Sequence, residues 1–139
     1  MTAAQDRYRQ YLETLTPATL DLLGDYVTDD VRFRDPFNDV RGVAAMRRVM
    51  QHMFDTLGAV TFKVRHAAAD DDTCLMEWRF EATLRGRPWA FEGMSLVRFT
   101  PDGRVSEHID YWDAAAALYE RLPIIGRLLM WIRRRLAVH

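Results

Sequence analysis

Apolar residues recur at helical spacing through the first third of the chain. Tyr8, Tyr11, Leu12 and Leu15 share one face over residues 4–15, and Met46, Val49, Met50, Met53, Phe54 and Leu57 form a longer stripe that opens after Gly42 and runs to about residue 57. Between them Thr16-Pro17 reads as an N-cap followed by proline at the first helical position, which predicts a second helix over residues 17–26. Val31, Phe33 and Asp35 then alternate with Arg32 and Arg34 in a short strand. Pro36 ends that strand, because proline lacks an amide hydrogen and holds the residue before it extended.

From residue 60 the period becomes two. Val60, Phe62, Val64, His66 and Ala68 alternate with Thr61, Lys63, Arg65 and Ala67, and Asp70-Asp71-Asp72 supplies a hairpin turn. Cys74, Met76, Trp78, Phe80, Ala82 and Leu84 alternate with Leu75, Glu77, Arg79, Glu81 and Thr83 in a half-buried strand, and Arg85-Gly86-Arg87-Pro88 turns the chain again. Residues 89–99 and 105–112, joined by Thr100-Pro101-Asp102-Gly103, complete a meander. Helices followed by a curved antiparallel sheet make an α+β fold, expected as one domain over residues 1–139 with a core at about 5–113.

The segment 114–139 extends that core. Residues 114–121 continue as helix and Pro123 interrupts it. Ile124, Ile125, Leu128, Leu129, Ile132 and Leu136 then form a stripe opposite Arg127, Arg134 and Arg135. One reading of this amphipathic helix packs it across the domain or a second subunit, with Arg133 to Arg135 favoured near its C-terminus by the helix dipole. The other is a peripheral membrane contact through residues 124–138, with Trp131 and the leucines inserted and the arginines meeting anionic headgroups.

Composition narrows the function classes. At 139 residues and 49% hydrophobic the chain closes one core, and 19 basic against 20 acidic residues lack the positive field on which nucleic-acid binding relies. Cys74 is the lone cysteine, without an intrachain disulfide partner, and MTAAQDRYRQ has no basic-then-apolar leader. A reducing, cytoplasmic setting is the expectation. Nucleophile elbows, phosphate-binding glycine loops, dinucleotide fingerprints and HExxH pairs are missing, so acyl-enzyme hydrolysis, nucleotide binding and zinc proteolysis find no support.

Two places carry candidate chemistry. Asp35 stands in phase with Val31 and Phe33, where an apolar residue is expected. In an apolar pocket desolvation would make it a stronger base, whereas as the residue before Pro36 it would initiate a turn by accepting backbone amides near residues 37 and 38. On the last strand Ser106, His108, Asp110 and Trp112 share one face and Val105, Glu107, Ile109 and Tyr111 the other. Alternation alone buries the Val105 face and leaves His108 and Asp110 in water. His66 reads as a core histidine and His52 has no identifiable partner. Two residues are too few for a metal site, so neither metal nor cofactor is expected.

The run DYVTDDVRFRDPFNDVRG, the helix after it and the closing GRVSEHIDYWD resemble the nuclear transport factor 2-like superfamily, with its SnoaL-like polyketide cyclases and ketosteroid isomerases. The resemblance implies a cone of three helices packed into a strongly curved sheet around a deep hydrophobic cavity, and a homodimer. It implies Asp35 as general base, Tyr11 as oxyanion donor, and His108 with Asp110 facing the cavity, Asp110 competing for the role of base. Ser95 falls where the isomerases carry a second oxyanion acid, which leaves that constellation incomplete. Phe33, Met53, Trp78, Phe91 and Trp112 would supply the apolar walls for a small hydrophobic ligand. The expected activity is cofactor-independent proton transfer next to a carbonyl; the alternative is a non-catalytic domain that stores a ligand or pairs subunits. Epoxide hydrolysis would need an Asp-Arg-Asp set, for which the sequence supplies only Asp110.

Overall fold

The computed structural model describes residues 1–138. Helix α1, Ala3–Glu13, starts at a reciprocal cap in which Thr2 accepts from the Gln5 amide and the Gln5 side chain accepts from the Thr2 amide. Its inner face carries Tyr8, Tyr11 and Leu12, and Gln5 is buried with them. In place of one second helix, Ala18–Leu22 forms a 3₁₀ turn and α2 is a single turn, Leu23–Tyr26. The strand β1 that follows, Val27–Arg34, begins four residues earlier than its alternation indicates, because Thr28, Asp29 and Asp30 interrupt the apolar period. It folds back on a short β2, Asp39–Arg41, which the sequence pattern did not mark.

Gly42 links β2 to α3, Val43–Thr56, with φ +95°, a backbone region that side chains disfavour, while its amide donates to the Val31 carbonyl. Strands β3 (Gly58–Asp70), β4 (Thr73–Leu84), β5 (Arg87–Phe99) and β6 (Val105–Trp112) follow as the expected meander. The six strands lie in the order β2-β1-β6-β5-β4-β3, all neighbours antiparallel except β1 and β6, which run parallel. The architecture is α+β, with the N-terminal helices against an open curved sheet. That parallel pair makes the sheet mixed, since the helical α3 crossover and the meander bring the chain back beside β1 in the same direction.

Two bulges decide which faces look inward. Val105 pairs with Phe99, but Glu107 pairs with Arg98, so β6 spends two residues where β5 spends one. The extra residue shifts the phase: Val105 is buried and His108, three positions on, is buried as well. Strict alternation had placed them on opposite faces. On β3 a similar irregularity between Val64 and His66 leaves His66 exposed near the hairpin tip, so it is not a core residue.

Beyond β6 the chain forms α4 (Ala114–Ala117), a 3₁₀ turn (Tyr119–Arg121) and α5 (Ile125–Leu136). The last residue of the expected extension, His139, lies outside the described residues.

Candidate functional site

Helix α3 and the concave side of the sheet do not close completely on each other, and a cavity of about 390 Å³ remains between them. Val49, Met50, Met53 and Phe54 of α3 form one wall, and Phe33 of β1 reaches it from the side. Trp78, Trp89, Phe91 and Trp112 form the opposite wall. These rings lock each other in place: Phe91 stacks on Trp112 with centroids 4.2 Å apart, Trp78 meets Phe91 edge-on at 5.8 Å, and Trp89 lies 4.9 Å from Phe91. Each such contact adds about 0.5–1.5 kcal/mol beyond area burial, so the wall is rigid. The lining contains no Arg or Lys among the described residues; its charged groups are Glu13, Asp35 and Asp110.

A continuous hydrogen-bonded chain runs along one end of this cavity. The Tyr8 hydroxyl lies 2.7 Å from His108 Nδ1, and His108 Nε2 lies 2.7 Å from Asp110 Oδ1. Ser95 Oγ is 2.5 Å from the same Oδ1 and 2.8 Å from Trp78 Nε1. An indole nitrogen only donates, so Ser95 accepts from Trp78 and donates to Asp110. Burial pushes the Tyr8 hydroxyl well above its ordinary range, and the Asp110 carboxylate pushes it further. Tyr8 is therefore a neutral phenol, and the pattern that gives every proton an acceptor has Tyr8 donating to Nδ1 and Nε2–H donating to Asp110.

Both protein donors to Asp110 thus converge on Oδ1, and Oδ2 accepts from no described residue. Asp110 lines the cavity and also an adjoining outer depression, which places it at the mouth. Ser95, 1% exposed, lies behind Asp110 and outside the lining, so it holds the carboxylate and the Trp78 indole instead of touching a ligand directly. Gly93 makes this possible. It sits opposite Trp78 on β5, and a Cβ there would fall 2.6 Å from the Trp78 ring and 2.8 Å from the Tyr111 carbonyl. Only glycine lets the indole lie flat across β5 with its N–H on Ser95.

Asp35 also lines the cavity, but its Oδ1 accepts from the amides of Phe37 and Asn38 at 2.8 and 2.7 Å, and Asn38 Nδ2 reaches both carboxylate oxygens. It shapes the β1–β2 hairpin. Tyr11 does not meet it. The Tyr11 hydroxyl donates to the Thr19 carbonyl at 2.8 Å and the ring stacks on Tyr26 at 4.0 Å, outside the cavity lining. One helical turn earlier, Tyr8 is the tyrosine joined to the site. Periodicity places both tyrosines inward, and their partners distinguish them: Thr19, eight residues on, for Tyr11 and His108, 100 residues on, for Tyr8. Among the described residues no group of three His, Cys, Asp or Glu side chains could hold a metal ion.

Residues 8–108 match the SnoaL-like domain family. No curated protein matches the chain significantly. Solved structures with the same fold include an NTF2-like protein of unknown function from Burkholderia pseudomallei, with 16% identity, 84% of this chain and 95% of that one covered, and a TM-score of 0.74. A protein of ketosteroid isomerase-like fold from Catenulispora acidiphila, in complex with trimethylamine, shares 16% identity over 85% of this chain and 91% of its own, with a TM-score of 0.72. An LEH-like epoxide hydrolase from M. tuberculosis shares 18% identity, with 97% and 93% covered and a TM-score of 0.67. At such identities the likeness is one of fold, and the reaction has to be argued from the site.

Proposed function

Because the chain belongs to the SnoaL-like domain family, we propose that it is a cofactor-independent enzyme that moves a proton next to the carbonyl of a small hydrophobic compound, with Asp110 as its base. The observation that carries this reading is the one-sided bonding of Asp110: His108 and Ser95 fix Oδ1, and Oδ2 is left for a ligand. A base aimed in advance needs no rearrangement when the substrate arrives.

In the proposed step Oδ2 takes the proton from the carbon beside the carbonyl, and the C–H electron pair moves into the enolate. The neutral carboxylic acid then returns that proton to the same carbon or, where the enolate is conjugated with a C=C bond, to the far end of that bond; alternatively the enolate carbon attacks a second carbonyl of the ligand to close a ring, and the acid gives its proton to the alkoxide so formed. The aromatic walls exclude water, which strengthens the contacts Asp110 would make with a bound carbonyl compound. The proposal moves the base from Asp35 to Asp110, because Asp35 is committed to its turn. Epoxide hydrolysis gains no support: Arg34, the arginine nearest Asp35 in sequence, sends its guanidinium to the Tyr111 hydroxyl, away from the cavity lining.

A second reading, storage of an apolar ligand without reaction, draws on the commitment of the Asp35 carboxylate and the Tyr11 hydroxyl to backbone partners. Native mass spectrometry of protein taken from cells identifies a retained molecule, and NMR in D₂O then follows deuterium uptake beside its carbonyl. Asp110→Asn is expected to slow that uptake by about 10²–10⁴-fold, the usual contribution of a positioned base, while Asp35→Asn slows it far less. Uptake unchanged in Asp110→Asn removes Asp110 as base. Tight binding with no uptake by the unmodified protein establishes the storage reading.

A further inference from the structure

Helix α5 exposes what a packed amphipathic helix hides. Gly126 is its one buried residue, and Leu129 and Met130 are half-buried beside it, so the helix meets the rest of the chain along a narrow edge. Ile125 is 56% exposed, Leu128 56%, Ile132 40% and Leu136 81%, and Trp131 on the flank is 59% exposed. Ile125, Leu128, Ile132 and Leu136 lie on one arc of the helix, with Arg135 between that arc and Trp131. A contiguous apolar strip of this kind is costly to leave in water and marks a contact surface. Packing across the domain is therefore not what this helix does.

Charge selects the partner. Every one of the 20 acidic residues precedes Pro123, whereas Arg127, Arg133, Arg134 and Arg135 all follow it. Arg127 and Arg134 border the apolar arc on the Trp131 side, and the Arg135 guanidinium lies 5.6 Å from the Trp131 ring centroid. A second α5, which carries no acidic residue, would cover the apolar strip but would set further cations against Arg127 and Arg135. An anionic bilayer satisfies both halves of the surface: the strip enters the acyl boundary, Trp131 sits at the headgroup level and the guanidiniums reach lipid phosphates. At 12 residues the helix is too short to span, and no described helix is long and apolar enough to cross a membrane.

We propose that α5 docks the protein onto anionic lipid bilayers, lying in the plane of the interface through Ile125, Leu128, Trp131, Ile132 and Leu136. This docking is independent of the proposed reaction, since none of these residues lines the cavity.

The test is co-sedimentation of the full chain with vesicles of phosphatidylcholine alone or phosphatidylcholine mixed with phosphatidylglycerol, together with solution scattering without lipid. The expected result is partitioning onto the phosphatidylglycerol vesicles that weakens with added salt. Arg127→Glu should lower it at least about fivefold, the factor equivalent to one interfacial arginine. Leu128→Asp with Ile132→Asp should lower it at least about tenfold, through the lost apolar insertion. All three changed side chains are exposed, so circular dichroism is expected to stay native. No preference for phosphatidylglycerol, or binding untouched by either variant, overturns the proposal. So does a lipid-free oligomer that the Leu128→Asp, Ile132→Asp variant dissociates, because α5 would then be covered by a second copy.

Discussion

The Tyr8–His108–Asp110 relay makes a pH-dependent demand on stability. Burial raises the Tyr8 hydroxyl well above its ordinary value near 10, with Asp110 adding to it, and burial also pushes Tyr11 up to about 12, helped by Tyr26 and Asp25. Between about pH 10 and 12 the unfolded chain loses phenolic protons that the folded chain keeps, so the unfolding free energy falls as pH rises. Stability from these two groups is complete below about pH 10 and is lost as pH climbs through the folded values. Denaturant titrations are expected to give a falling unfolding free energy from about pH 10 upward, with tyrosinate absorbance growing in step with unfolding. Tyr8→Phe should flatten part of that slope while costing stability at neutral pH, because His108 Nδ1 loses its donor, typically about 1–3 kcal/mol for a buried unsatisfied group. A slope unchanged by Tyr8→Phe would mean that Tyr8 does not carry the effect. At this scale the sequence disclosed residue types more readily than roles: Asp110 and His108 were legible as a pair, but Tyr8 reaches His108 from 100 residues away, and Ser95 meets Asp110 through a cross-strand register that alternation alone does not fix.

Single elements follow the same logic. Helix α3 and strand β4 were readable because long runs at one period bury one face, and the burial of a side chain such as Met46 or Met76 contributes about 1.5–3 kcal/mol. β2 was not readable, since three residues between Asn38 and Gly42 carry no periodic signal. The inward turn of His108 and Asp110 depends on a bulge, an extra residue that a strict period of two cannot represent. β5 has its own hidden device in Gly93. Gly93→Ala would place a methyl 2.6 Å from the Trp78 ring, with the Tyr111 carbonyl at 2.8 Å blocking retreat. Overpacking of this kind costs about 1–3 kcal/mol. The displaced indole would also withdraw its N–H from Ser95. The expected outcome is a lower melting temperature together with a shifted Trp fluorescence spectrum. A variant as stable as the parent would show that the sheet yields there more easily than its close contacts indicate.

For the whole molecule, the cavity and the exposed helix α5 are successive along one chain but rest on different energetics. The family match ends at residue 108, before the last four residues of β6, and the chain needs the segment up to Leu118 because Trp89 donates to the Ala117 carbonyl and Leu118 helps line the cavity. Past Arg121 the contacts thin to the narrow edge of α5 around Gly126, with an exposed apolar strip opposite. Conformational entropy is spent ordering this helix with little burial in return, so its removal subtracts little from the folded state. A chain ending at Leu122 is expected to keep its circular dichroism and to melt within a few degrees of the parent, while remaining in solution when phosphatidylglycerol vesicles are pelleted. Deuterium uptake by a retained ligand should continue, since the Tyr8–His108–Asp110–Ser95 chain is untouched. If truncation instead unfolds the domain, α5 contributes to the fold through more than the edge at Gly126, and this separation of catalysis from docking fails.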